Sequence, residues 1–150
     1  MTKKFPKVNQ IKDNLEIEGI FDAWNEQKKK IHNDREVEKY PKPREIWLTK
    51  MWVNIGDEQN GKEKFTRPVL ILKKIWSLFF CVALSTKNKE SFFYKKLQTA
   101  HFIDWFEVSD SVLIVSQAKN FDKKRFIKQI GRIEQEEFLE IKKLLKEIYF

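Results

Sequence analysis

The sequence predicts an α+β chain that is mainly β: a small, coiled antiparallel β-barrel with an N-terminal amphipathic helix and a C-terminal helix. Three observations lead there. From Glu45 to Val115, five or six short runs of β-branched and aromatic residues follow one another through short connections. Ahead of them, apolar residues recur at helical spacing, and they do so again at the end of the chain.

Ile20, Phe21, Trp24, Lys28 and Ile31 share a helical stripe, so Ile20–His32 reads as an amphipathic helix with Lys28-Lys29-Lys30 on its wet side or at its end. Asn33–Arg44 is polar and holds Pro41 and Pro43, which marks a linker. Residues 1–43 are therefore expected as a helical extension and 44–150 as the main domain. Ile46, Trp47, Leu48, Met51, Trp52, Val53 and Ile55 roughly alternate with polar residues, as a strand does. Gly56–Thr66 is a charged loop. Val69–Leu72 and Leu78–Leu84 are buried-strand runs, with Ile75-Trp76-Ser77 turning between them. Ser91–Leu97 and Phe102–Phe106 are expected to pair as a hairpin around Gln98–His101, and Val112–Val115 is the last clear strand. Asp122 reads as an N-cap before a helical Lys123–Lys128, and Gly131 as a break. Phe138, Ile141, Leu145 and Ile148 mark one face of a helix over Glu134–Ile148.

Composition narrows the class. The 150 residues are 41% apolar and 35% charged, with no apolar run near the ~20 residues of a membrane helix. Met1–Pro6 is basic without an apolar segment behind it, so no signal peptide is expected. One cysteine, Cys81, excludes an internal disulfide framework and fits a reducing cytoplasm; inside an apolar run, it is expected to be buried. The net charge of +8 favours a polyanionic partner, whether nucleic acid, membrane surface or acidic protein. No His, Cys or carboxylate cluster has metal-ligand spacing, and His32 and His101 are expected to be structural or solvated. Trp47, Trp52, Trp76, Phe79 and Phe80 are expected mostly in the core, an exposed one being able to stack on a flipped-out base.

One ordered set of segments goes further. Glu45-Ile46-Trp47 opens a strand; Gly56-Asp57-Glu58-Gln59-Asn60-Gly61 follows, then Arg67-Pro68-Val69-Leu70-Ile71, then Val82-Ala83-Leu84-Ser85-Thr86. Ser111-Val112-Leu113, Ser116-Gln117, Phe121-Asp122-Lys123-Lys124-Arg125 and Gly131-Arg132-Ile133 lead to the final helix. No single piece is specific, but in this order, from about Glu45 to Ile148, the series resembles the MazF/PemK toxins of type II toxin–antitoxin systems. The resemblance implies an SH3-like barrel, a homodimer, and metal-independent, sequence-specific cleavage of single-stranded RNA without a cofactor. It also implies neutralisation by a cognate antitoxin, with DNA bound in the antitoxin's company. The RNA's own 2′-hydroxyl is the nucleophile and a cyclic phosphate is left.

Such chemistry needs a base for the 2′-proton, an acid for the leaving 5′-oxygen, and a cation facing the phosphorane. By resemblance Arg67 is the cation, its planar fork suited to two phosphate oxygens; the other reading is an ion pair at a strand end. Glu58 matches the loop glutamate, as general base or as a group positioning Arg67, and is otherwise a solvated loop acid. Ser85, where threonine is commoner, and Thr86 offer hydroxyls to the scissile phosphate, or else are turn chemistry. Gln59, Lys62, Lys64 and Gln117 are the candidate RNA contacts. Ser116 stands where some relatives carry an acid-base aspartate, which shifts weight onto Glu58. Asp122 and Arg125 read as structural. Two rivals remain: a CcdB-like gyrase poison, disfavoured because the chain ends Ile148-Tyr149-Phe150 instead of Trp-Gly-Ile, and a non-catalytic barrel that binds RNA or protein.

Overall fold

The computed structural model describes residues 8–35, 38–51, 66–87, 89–103 and 111–150, with side chains from residue 16 onward. The chain divides into two compact units, 1–34 and 35–150. In the first, helix α1 spans Val8–Asn33, longer than the stripe at Ile20–His32 suggested.

Among its described residues the second unit has seven antiparallel strands: β1 Glu45–Lys50, β2 Thr66–Ile75, β3 Leu78–Ser85, β4 Tyr94–Lys96, β5 His101–Phe102, β6 Val112–Asp122 and β7 Phe126–Arg132. Helix α2, Gln135–Tyr149, follows. The strand order is β4-β6-β3-β2-β1-β7-β5. Its two edge strands, β4 and β5, are consecutive in sequence, with only Leu97–Ala100 between them. A flat sheet of this order would be ~29 Å wide across its six inter-strand steps. The connection can reach only ~18 Å. The sheet is therefore curled until its edges approach, and chain, not a β-ladder, joins them. The expected barrel is a curled open sheet with a covalent seam.

Helix α2 fastens that seam. Glu137, 5% exposed, accepts hydrogen bonds from the Gln98 and Thr99 amides, at 2.7 and 2.9 Å, and from the Thr99 hydroxyl. The Glu134 amide donates to the same hydroxyl, at 3.1 Å. Segment 38–44 is also tied down. Lys39 Nζ donates to the Phe126 carbonyl, and the Arg44 amide and Nε donate to the Ile71 and Ile133 carbonyls.

Alternation along the central strands sends apolar residues to both faces. One face joins Ile46, Leu70, Leu72, Val82 and Leu84 to Phe138, Ile141 and Leu145 of α2. Full burial of each such side chain contributes about 1.5–3 kcal/mol. The other gathers Trp47, Val69, Ile71, Phe79, Cys81, Ala83, Phe121 and Phe126, with Phe126 edge-on to Trp47, Phe79 and Phe121. The Cys81 thiol is buried there, as expected, and burial pushes its pKa up.

Four expectations need correction. Of the hairpin expected between Ser91–Leu97 and Phe102–Phe106, the described residues pair otherwise, β4 with β6 and β5 with β7, and 104–106 lie outside the described residues. Val112–Val115 is not the last strand, because β6 runs to Asp122 and β7 follows. Lys123–Lys128 is not a helix; Asp122 caps only a 3-10 turn, Lys123–Arg125, accepting from the Lys124 amide at 2.9 Å, before β7 begins. Gly131 does not break the chain but sits inside β7, where a side chain would strike β5. Among the aromatics expected in the core, Trp47 and Phe79 are buried, whereas Trp76 is 93% exposed; Trp52 lies outside the described residues.

Candidate functional site

The start of β2 lies beside the end of β3, which pairs in turn with the start of β6, Leu84 with Leu113 and Ser85 with Val112. Val69 pairs with Ala83, so the same register carried two residues further sets Arg67 level with Ser85. Residues two apart share a face, which puts Arg67, Val69, Ala83 and Ser85 on one side. On the next strand Ala118 pairs with Val82 and Leu113 with Leu84, and Gln117 lies in the stretch between.

Arg67 is second in β2, and its backbone is clamped. Its carbonyl accepts the hydroxyl of buried Thr49 at 2.7 Å. Its guanidinium Nη1 donates to the Leu84 carbonyl at 3.0 Å, one residue before Ser85. The side chain is 7% exposed, and burial pulls its pKa below the usual arginine value. The sequence reading takes Arg67 as the cation that faces the phosphate, a role that burial of the side chain opposes. The structure shows the guanidinium held in position and almost covered, which a strand periodicity does not reveal.

Ser85 ends β3 and its Oγ accepts the Lys87 amide at 3.1 Å, a local turn bond that fixes the hydroxyl beside Arg67. Thr86, next in the chain, is exposed. Gln117, half-buried, lies in a bulge: between its pairs with Val82 and Leu84, β6 advances from Ala118 to Leu113, five residues against two. A bulge of this size re-aims side chains. Tyr149, near the end of α2, holds it. Its hydroxyl accepts from the Ala118 amide at 3.0 Å and donates to the Val115 carbonyl at 3.1 Å. Sequence reading missed this role, and no local signal at Tyr149 marks it.

The structure thus brings together Arg67 and Ser85, with Gln117 on the neighbouring strand in the bulge opposite Ala83. Glu58, Gln59, Lys62 and Lys64 lie outside the described residues. Arg125 belongs elsewhere: its Nη1 donates to the Lys50 carbonyl at 3.3 Å, and burial lowers its pKa against the opposing pull of Asp122. Among the described residues no three His, Cys, Asp or Glu side chains gather as a metal-ligand set. No described helix is long and apolar enough to cross a membrane.

These features define a class: a curled antiparallel sheet, sealed by a C-terminal helix, that sets a buried arginine and a strand-end hydroxyl on one face. The family model described as PemK-like, MazF-like toxin of type II toxin-antitoxin system matches residues 42–149, and the chain belongs to that family. Solved structures agree on the fold. MazF (Form-I) from Deinococcus radiodurans superposes with a TM-score of 0.59 at 17% identity, over 74% of this chain and 97% of that one. The MazE-MazF structure (Form-II) from the same organism gives 0.55 at 18%, over 74% and 96%. An endoribonuclease in complex with its cognate antitoxin from Mycobacterial species gives 0.52 at 10%, over 73% and 94%. No curated protein matches by sequence.

Proposed function

We propose that the chain is an endoribonuclease toxin. It cleaves single-stranded RNA by attack of a 2′-hydroxyl on the adjacent phosphorus, and an antitoxin protein neutralises it. Family membership supports the toxin class, and two of the similar structures contain an antitoxin. The observation that carries the reading is the Arg67 guanidinium, fixed by the Leu84 carbonyl on the face that bears Ser85.

Once substrate binding has turned it to the scissile group, such a cation spends no further reorganisation as negative charge grows on the phosphorane. Burial raises its effect, because a charge in low dielectric acts more strongly than the same charge in water. The phosphate reaches Arg67 only as the guanidinium is uncovered, so its donors turn to the scissile group on substrate binding. The Ser85 hydroxyl, with Thr86 next to it, donates to a phosphate oxygen. Glu58 takes the 2′-proton or orients Arg67, and Gln59, Lys62, Lys64 and Gln117 contact the flanking nucleotides. The protein acts as a homodimer in the cytoplasm.

The test is cleavage of a long single-stranded RNA in EDTA by the purified full chain. Wild type is expected to leave cyclic-phosphate ends. Arg67→Ala should lose at least ~10²-fold in kcat. Arg67→Lys keeps a charge but loses the fork, and should also fall. Melting temperatures of both variants separate a chemical loss from a folding loss. An inactive wild type, or an Arg67→Lys variant with full kcat, overturns the reading.

A further inference from the structure

The hairpin of β2 and β3 closes through two residues, Trp76 and Ser77, with Ile75 paired to Leu78. Trp76 is 93% exposed and has φ 57°. Positive φ at the first of two turn residues alone is the type II′ pattern, where glycine is preferred. Trp76 is thus unfavourable for the fold twice over: its backbone is strained and its indole lies in water. Residues kept in such states point to function.

The surroundings are cationic. Lys73 and Lys74 are exposed on the same hairpin, beside Ile75 at 46% and Leu78 at 39% exposure. The register of β3 with β6 brings Asn120–Asp122 alongside, with Lys119 and Lys123 exposed at either end. The acid of this group, Asp122, is occupied in capping the Lys124 amide.

We propose that this tip is a second contact for single-stranded nucleic acid, in which the Trp76 indole stacks on a base and Lys73 and Lys74 meet the flanking phosphates. The proposal rests on the reading of the chain as acting on single-stranded RNA. Three points favour this occupant. Every base presents a π-face, and one aromatic ring between cations is the recurring device for holding single strands. The three apolar side chains form a small convex tip, far short of the ~800 Å² per partner that a stable protein interface covers. A second copy of the chain would bring like charges face to face.

Trp76 follows the last residue of β2 and lies nine residues from Arg67, at most ~30 Å along the strand. It therefore acts on binding, not on chemistry.

The test uses the full chain and a fluorescent, uncleavable single-stranded 2′-O-methyl RNA 20-mer, read by anisotropy. Trp76→Gly should bind about tenfold more weakly, the effect of losing one stacked base. Its melting temperature should hold or rise, because glycine accepts the positive φ. Trp76→Phe should recover most of the affinity. With cleavable RNA, Trp76→Gly should raise KM and leave kcat unchanged. Wild-type affinity in Trp76→Gly overturns the proposal. So does unchanged RNA affinity with loss of binding to anionic vesicles or to a protein partner. The two readings fail separately: a wild type that binds the 20-mer through Trp76 but never cleaves RNA sinks the nuclease assignment alone, whereas active cleavage indifferent to Trp76 sinks the tip alone.

Discussion

A Cβ on Gly131 would stand 2.7 Å from the His101 carbonyl oxygen and 3.1 Å from a ring carbon of Phe102. The nearer neighbour is backbone and cannot swing aside, so Gly131→Ala should destabilise the fold by about 1–3 kcal/mol. The midpoint of urea unfolding reads this, and an unchanged midpoint would mean that β5 is not seated on β7. Tyr149 makes the opposite kind of contribution: its hydroxyl completes two backbone groups of the β6 bulge. Tyr149→Phe should cost about 0.5–1.5 kcal/mol, the net worth of hydrogen bonds that water can partly replace, with unchanged stability as the contrary result. Neither role was legible in the sequence. A glycine after an apolar run looks like a stop, and a tyrosine near a chain end carries no sign of a bulge 31 residues away. Arg67 shows the same division. Its place at a strand entrance followed from Arg67-Pro68-Val69, but its cover depends on groups brought over it only by folding.

Helix α2 was legible as an element, since Phe138, Ile141 and Leu145 repeat on one face and are all buried. What it clasps was not, because the seam at Leu97–Ala100 is formed by edge strands of three and two residues, too short for any periodicity. Likewise β7 was hidden: Asp122 followed by Lys-Lys-Arg imitates a helix start, and its cap is real but holds a single 3-10 turn. The clasp has a pH signature. Burial pushes the Glu137 carboxyl pKa up, but the Thr99 hydroxyl, the Gln98 and Thr99 amides and the charge of Lys95 outweigh it, so the folded value lies below the ordinary 4.5. A carboxylate with a depressed folded pKa stabilises above its unfolded value and loses that contribution as pH falls through the folded one. The melting temperature of the wild type should therefore drop below about pH 4.5, more steeply than that of Glu137→Gln, and the two should converge in acid. Parallel pH profiles would remove Glu137 from the role.

Net charge acts on the molecule as a whole. With +8 on 150 residues, long-range attraction to a polyanion precedes any contact with Arg67, Ser85 or Trp76. For single strands, each neutralised phosphate lowers the slope of log affinity against log salt by about 0.7. A strand that spans both the Arg67 face and the hairpin tip would engage roughly four phosphates, and its binding should weaken on the order of 50-fold between 50 and 200 mM salt. Charge and stacking at the tip should separate under this test. Lys73→Gln with Lys74→Gln should flatten the slope by about 1.4, whereas Trp76→Gly should weaken binding equally at every salt concentration, because stacking releases no counterions. Anisotropy titrations of the uncleavable RNA across a salt series measure both. A wild-type slope near zero would mean that the excess positive charge serves some other purpose than holding a phosphate backbone. A Trp76→Gly deficit that vanishes at high salt would make the tip an electrostatic patch with no stacking platform in it.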